Sequence, residues 1–147
     1  MSNREDLLEI VRTVMNSVPF NAHLGLEVLE VKEGFARLRL PFRPEFVGDP
    51  TRPALHGGVL SAMLDTVGGA AAWSMVTLSE RISTIDLRVD YLLPARLETV
   101  IAEGRVIRHG RRLSVVTMRA YHESNPAQTV TDGRGVYNIR SAPKLPI

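Results

Sequence analysis

The chain contains 147 residues, of which 44% are hydrophobic and 23% are charged, with a formal net charge of +2. These values fit one globular domain over residues 1–147 and exclude an intrinsically disordered chain. The absence of cysteine excludes disulfides, thiolate catalysis and sulfur-ligated zinc. No apolar run approaches the roughly 20 residues that span a bilayer, and no signal-peptide segment opens the chain. We therefore expect a cytoplasmic protein without a membrane partner, and the small net charge argues against a nucleic-acid partner.

The first part of the chain predicts one amphipathic helix and one hairpin. Residues 4–18 place their apolar side chains on one stripe, which is typical of a helix packed on a domain surface, and Pro19 ends it. Apolar and polar residues alternate over residues 24–32 and 35–40, a pattern typical of two strands joined by a tight turn. The proline-containing residues 43–53 predict a loop that leads into the next element.

The centre of the chain is an apolar, proline-free stretch from Gly57 to about Val76, which predicts a helix buried on most of its sides. A sheet wrapped around this one helix is the most economical way to bury it, so the predicted fold class is α+β. A proline-containing tail ends the chain. Before it, short turns separate four strand-like runs that predict an antiparallel meander in chain order, namely residues 82–93, 99–109, 113–123 and 129–139.

Asp65 is the first candidate for chemistry, because it is the only ionisable residue within the central helix. A carboxylate in apolar surroundings is costly to bury, so it either bonds to a distant hydroxyl or backbone group or performs a reaction. The same helix begins with Gly57 and Gly58. Backbone N–H groups at a helix N-terminus are unpaired and carry positive partial charge, so these two glycines are candidates for binding an oxyanion.

One helix cannot bring both the Asp65 carboxylate and its own N-terminal N–H groups to the same substrate carbonyl. At about 1.5 Å rise per residue, Asp65 lies roughly 12 Å along the axis from Gly57. Two such helices packed antiparallel about a two-fold axis place each N-terminus against the partner's carboxylate. The spacing therefore predicts a homodimer with two composite sites.

Five further positions are weaker candidates. His56 precedes the glycines, where it either bonds the backbone at the helix start or contacts a substrate carbonyl. Ser83 and Thr84 open the next strand, where their hydroxyls either face solvent or orient a water molecule near Asp65. Arg111 and Arg112 belong to a basic turn over residues 108–112, which is either a solvated hairpin tip or a phosphate contact. No second His or carboxylate stands at metal-ligand spacing from His56, and the other histidines, His23, His109 and His122, are isolated, so we predict no metal site.

The stretch Leu55-His56-Gly57-Gly58-Val59, followed by Asp65, resembles the acyl-CoA thioesterases of the hotdog fold. The closest likeness is to the phenylacetyl-CoA thioesterase-like branch of the 4-hydroxybenzoyl-CoA thioesterase superfamily. Residues 84–95, which end in Pro94-Ala95, are similar to the third-strand signature of that family. The resemblance extends over about residues 24–138.

The resemblance implies a hotdog fold, in which an antiparallel sheet of about five to six strands wraps a long central helix. It implies hydrolysis of acyl-CoA to free acid and CoA, with Asp65 as general base or nucleophile and the Gly57 amide polarising the carbonyl. His56 and Gly58 then border the pocket, and Thr84 holds the attacking water, with Ser83 beside it. The implied assembly is a homodimer or a homotetramer built from two dimers, and no cofactor is required.

The basic residues Arg111 and Arg112 are the candidates for the CoA phosphates under this reading. The sequence departs from the family at Pro50, where many relatives carry an Asn or Gln that orients the thioester or the water. Two alternatives remain at this stage: a non-catalytic hotdog module that binds acyl-CoA, and a hotdog enoyl-thioester hydratase or dehydratase.

Overall fold

The computed structural model describes residues 3–141, with side chains from residue 5 onward; the proline-containing tail lies outside this range from residue 142. Within it, three α-helices, one 3₁₀ turn and eight strands follow in this order: α1 (Asn3–Ser17), α2 (Pro19–Leu24), β1 (Glu27–Lys32), β2 (Phe35–Leu40), the 3₁₀ turn (Pro44–Phe46), β3 (Val47–Asp49), β4 (Ala54–Leu55), α3 (Gly57–Trp73), β5 (Glu80–Tyr91), β6 (Val100–His109), β7 (Leu113–His122) and β8 (Thr129–Ser141). None of the described helices is long and apolar enough to cross a membrane.

The short helix α2 is an element that the sequence pattern did not predict. Pro19 occupies its first turn, where the missing N–H costs nothing, and Gly25 ends it with a φ of 74° that favours glycine. The Asn21 side chain donates to the Met15 carbonyl oxygen at 2.9 Å and so ties α2 to the end of α1. The first strand therefore begins at Glu27, and the predicted start at residue 24 is wrong.

Six strands form one antiparallel sheet in the order β1-β2-β6-β7-β8-β5. Strands β6, β7 and β8 follow the predicted meander, but the predicted position of the run that becomes β5 is wrong. This strand pairs with β8 from Glu80 opposite Ser141 to Tyr91 opposite Thr131, and it forms a free edge of the sheet. The reason is topological: β2 and β7 occupy both sides of β6, so β5 has no place beside its successor.

Helix α3 lies against the inner face of the sheet, and the predicted wrapping of a sheet around one helix is confirmed. Met63, Leu64 and Val67 are fully buried there. The helix approaches β6 so closely that a Cβ on Gly104 would lie 2.8 Å from the Val67 carbonyl oxygen. Glycine at position 104 is therefore required by the contact between helix and sheet.

The ends of α3 are fixed by side chains. At its C-terminal end, the Ser74 hydroxyl donates to the Ala71 carbonyl at 2.7 Å and accepts from the Gly34 N–H at 2.9 Å. The helix thus ends at Trp73, before the predicted end near residue 76. At its N-terminal end, the predicted loop folds into the 3₁₀ turn and the β3–β4 ribbon, where the His56 N–H donates to the Phe46 carbonyl at 2.8 Å.

Candidate active site

Two hydroxyl groups meet the Asp65 side chain halfway along α3. Thr84 donates to Asp65 Oδ1 at 2.8 Å. The Tyr137 hydroxyl lies 3.0 Å from the Asp65 carbonyl oxygen and 3.4 Å from Oδ1. Thr84 and Tyr137 are cross-strand partners on β5 and β8, so their side chains lie on the same side of the sheet. The described residues give Asp65 no basic partner, and its side chain is half-buried.

Tyr137 is a site residue that sequence reasoning missed. Its side chain is 1% exposed, and burial, followed by the nearby charge of Asp65 and the hydrogen bond to it, raises the pKa of the phenol far above its usual value. The phenol therefore stays protonated and acts as a donor. Room for its ring depends on Gly68 and Gly135, since a Cβ on either would collide with it. The sequence signal that could have identified Tyr137 is Gly135, which lies two residues before it on the same side of β8 and leaves room for its ring.

His56 is the N-cap of α3. Its backbone is extended, with φ −63° and ψ 130°, and its Nδ1 accepts from the Gly58 N–H at 2.8 Å. A neutral ring with the proton on Nε2 satisfies this bond. A Cβ on Gly58 would lie 2.8 Å from Nδ1, so the cap requires glycine there. The Gly58 N–H is thus engaged, whereas the Gly57 N–H has no acceptor within residues 3–141.

Tyr91 packs over the N-terminus of α3. Its hydroxyl donates to the Gly57 carbonyl oxygen at 3.0 Å and bonds the Ser61 hydroxyl. A Cβ on Gly57 would lie 3.1 Å from the Tyr91 ring. A surface groove of about 380 Å³ opens here, and Gly57, Leu60 and Tyr91 are among its lining residues. The first turn of α3 is therefore accessible from outside the chain.

The structure separates the remaining predicted residues from the Asp65 cluster. Ser83 is exposed and makes no hydrogen bond to Asp65, since adjacent strand residues face opposite sides of the sheet. Arg111 and Arg112 lie exposed between β6 and β7. Leu113, Asn138 and Ser83 pair in one row across β7, β8 and β5, which places this turn roughly 10 Å from the start of β5 at about 4.8 Å per strand.

Two further arginines belong to this end of the sheet. Arg81 and Arg140 are cross-strand partners, and both are exposed. With its amide oriented to satisfy its neighbours, Asn138 accepts from Arg140 Nε at 2.6 Å and donates to the Arg112 carbonyl oxygen at 3.2 Å. No carboxylate within the described range pairs with the four residues of this arginine cluster, Arg81, Arg111, Arg112 and Arg140. Like charges set opposite each other are unfavourable unless an anion neutralises them.

The part of the chain that the structure describes holds no group of three or more His, Cys, Asp or Glu side chains arranged to bind a metal ion. The Asp65 cluster consists of one carboxylate and two hydroxyl donors. Such a cluster can hold an ionised carboxylate against a water molecule or a carbonyl carbon. What it can do chemically is accept a proton or attack an electrophile.

Comparison with known proteins assigns the family. Residues 53–127 match the family model of the thioesterase superfamily. The medium/long-chain acyl-CoA thioesterase YigI of Escherichia coli is 34% identical over 119 residues, which cover 72% of this chain and 77% of the relative. A putative esterase of Halobacterium salinarum is 30% identical over 143 residues, which cover 92% of this chain and 93% of the relative.

A solved structure agrees with these relatives. A protein from Shewanella oneidensis related to the thioesterase superfamily superposes with a TM-score of 0.81 at 31% identity, covering 92% of this chain and 96% of that protein. The hotdog fold predicted from the resemblance is thereby confirmed. The chain belongs to the thioesterase superfamily and is a thioester hydrolase.

Proposed function

We propose that the protein hydrolyses acyl-CoA thioesters to a free carboxylic acid and CoA. The observation that carries the proposal is the Asp65 carboxylate, held at mid-helix by the Thr84 and Tyr137 hydroxyls with no basic partner. The similarity to the Escherichia coli relative, a medium/long-chain acyl-CoA thioesterase, supports acyl-CoA as the substrate.

The proposed chemistry uses Asp65 as a general base. Both hydroxyls approach Oδ1, which leaves Oδ2 to take a proton from water. Because the Thr84 hydroxyl donates its only hydrogen to Asp65, its oxygen lone pairs accept a hydrogen bond from that water and so orient the water. The water oxygen adds to the thioester carbon, the C–S bond breaks, and the CoA thiolate receives the proton from Asp65. The alternative is direct attack by Asp65, with an anhydride that water then hydrolyses.

The proposed oxyanion donor is the Gly57 N–H of a second subunit. This N–H is the one in the first turn of α3 that His56 leaves free, and it lies roughly 12 Å along the axis from Asp65 of its own chain. The 12-residue strand β5 is a free sheet edge, a surface that proteins usually cover or pair. We propose that two β5 strands pair in a homodimer, which brings each α3 N-terminus to the partner's Asp65. Two such dimers then form the tetramer.

The proposed contact for the CoA phosphates is the arginine cluster. Its four guanidinium groups lie at the end of the sheet where β5 begins, and no carboxylate in the described chain neutralises them. Arginine binds phosphate oxygens through two parallel N–H donors. The proposal that Arg111 and Arg112 contact the substrate rests on their positive charge and their exposure. Ser83 lies two residues after Arg81 on β5, at the same end of the sheet.

The test is release of free CoA thiol from acetyl-, butyryl-, octanoyl-, decanoyl-, palmitoyl- and phenylacetyl-CoA. We expect wild-type turnover and a loss of at least about 100-fold in kcat for Asp65→Asn, since a positioned general base contributes roughly that much or more. Asp132→Asn is the matched control, because Asp132 lies on the outer side of β8, away from α3. If the Asp65→Asn variant turns over substrate at the wild-type rate, the assignment of Asp65 as general base is overturned. Tight acyl-CoA binding without turnover by either protein overturns the proposed function.

A further inference from the structure

A second groove opens directly beside the Asp65 cluster. It has a volume of about 450 Å³, within the range of small-molecule sites. Its walls are mostly apolar and come from α1, α3, β5 and β8, with one residue from the junction between α1 and α2. The apolar lining residues are Val14 and Met15 of α1, Val18 between α1 and α2, Gly69 and Trp73 of α3, and Ile82 of β5. Glu80, Arg81 and Ser83 at the start of β5 complete the lining beside Thr84 and Tyr137.

The groove is continuous with the reactive carboxylate. Thr84 and Tyr137, the two residues that hold Asp65, also line it. Asp65, Gly69 and Trp73 are spaced by four residues, so they lie on one face of α3. Gly69 leaves that face open between the carboxylate and the indole ring. A chain attached to a carbonyl at Asp65 therefore has an apolar path over Gly69 towards Trp73 and α1.

We propose that this groove holds the acyl chain and limits its length, so that the preferred substrates are medium-chain acyl-CoAs of about 8 to 10 carbons. This inference rests on the proposed function. Asp65 and Trp73 lie roughly 12 Å apart along the axis of α3. An extended alkyl chain of C–C bonds near 1.5 Å advances about 1.3 Å per carbon, so about nine carbons cover that distance. Helix α1 supplies the wall at the far end.

Gly69 offers a sharp test, because it has room for a side chain. The nearest atom to a Cβ at this position is Tyr137 Cε1 at 3.6 Å, an ordinary van der Waals contact. Gly69→Ala is thus compatible with the fold and favours the helix, while it narrows the groove. The acyl chain of butyryl-CoA has three carbons beyond its carbonyl carbon and ends about 4 Å from it, short of Gly69, which lies about 6 Å along the axis from Asp65.

The experiment measures kcat/KM for butyryl-CoA and decanoyl-CoA with wild type, Gly69→Ala, Gly69→Leu and Val14→Phe. We expect the decanoyl-to-butyryl ratio to fall progressively through the two Gly69 variants, by at least about tenfold in Gly69→Leu and in Val14→Phe. Thr13→Phe is the matched control on the exposed side of α1 and leaves the ratio as in wild type. Thermal unfolding verifies that each variant is folded, and Gly69→Ala gives the ratio even where the larger residues unfold the chain.

An unchanged ratio in Gly69→Ala and Val14→Phe, with wild-type turnover intact, overturns the groove assignment and leaves the proposed function standing. An equal fall in Thr13→Phe and Val14→Phe also overturns it. A wild type that hydrolyses neither thioester, nor the longer and aromatic ones, overturns the proposed function itself. The two failures are therefore distinguishable.

Discussion

In the proposed mechanism the Thr84 hydroxyl has two tasks: it holds the Asp65 carboxylate through a hydrogen bond, and it orients the attacking water. Thr84→Ala removes both, and Thr84→Ser keeps the hydroxyl. A hydrogen bond to a charged group contributes about 1.5–3 kcal/mol. We therefore expect Thr84→Ala to lower kcat about 10- to 100-fold and Thr84→Ser to retain most of it, as measured by thiol release at saturating acyl-CoA. Equal losses in the two variants would contradict the role of the hydroxyl.

The raised pKa of Tyr137 leads to a prediction about how stability depends on pH. In the folded chain its pKa is raised, first by burial and then by Asp65, while the unfolded phenol ionises near its usual value of about 10. The unfolded state alone therefore loses a proton above about pH 10, so the contribution of Tyr137 is complete below that pH and declines above it. We expect the wild type to lose more stability than Tyr137→Phe between pH 9 and 11, as measured by urea unfolding.

Parallel curves for the two proteins over that range would contradict the raised pKa. At neutral pH, Tyr137→Phe removes one donor to Asp65 and leaves Thr84 in place. The variant thus separates the effect of the buried Tyr137 phenol on Asp65 from the effect of the Thr84 hydroxyl.

At the scale of the element, the N-terminus of α3 depends on the His56 side chain, which caps the helix. Replacing an N-cap residue by Ala costs about 1 kcal/mol, and Asn is among the best caps. We expect His56→Ala to lower the free energy of unfolding by about 1 kcal/mol and His56→Asn to lose less, as measured by urea denaturation. An identical loss in both variants would mean that the Nδ1 bond to Gly58 contributes nothing to the helix start.

Across the whole molecule, the sequence predicted the parts that rest on local pattern. The apolar stretch after Gly57 predicted α3, and alternation predicted the β1–β2 hairpin. The suggestion that Thr84 lies near Asp65 came from the resemblance as much as from the pattern. In each case short-range chemistry decides the outcome: an apolar face needs burial, and a tight turn joins two neighbouring strands.

Long-range pairing lay beyond the sequence pattern. Nothing within β5 shows that it pairs with β8, because that choice depends on which strand edges the rest of the sheet leaves free. The same pairing brings Tyr137 beside Thr84, so the missed site residue follows from the missed topology. Helix α2 was hidden because a helix of six residues is too short to show a periodic apolar pattern.

The central proposal for the whole molecule is the composite site, in which Asp65 of one subunit and the Gly57 N–H of the other act on the same thioester. Gly57→Pro removes that N–H while suiting the first position of a helix, and the extended His56 backbone suits the residue before a proline. Gly57→Ala is the matched control, because both variants add a Cβ about 3.1 Å from the Tyr91 ring and only proline lacks the N–H.

The measurement is acyl-CoA hydrolysis by purified mixed dimers that carry Asp65→Asn in one chain and Gly57→Pro in the other. In such a dimer one composite site has lost both groups, and the second site retains Asp65 and Gly57 intact. We expect each homodimeric variant to be nearly inactive, the Gly57→Ala homodimer to be active, and the mixed dimer to recover about half of the wild-type rate. Mixed dimers no more active than their parents would contradict a site shared between subunits.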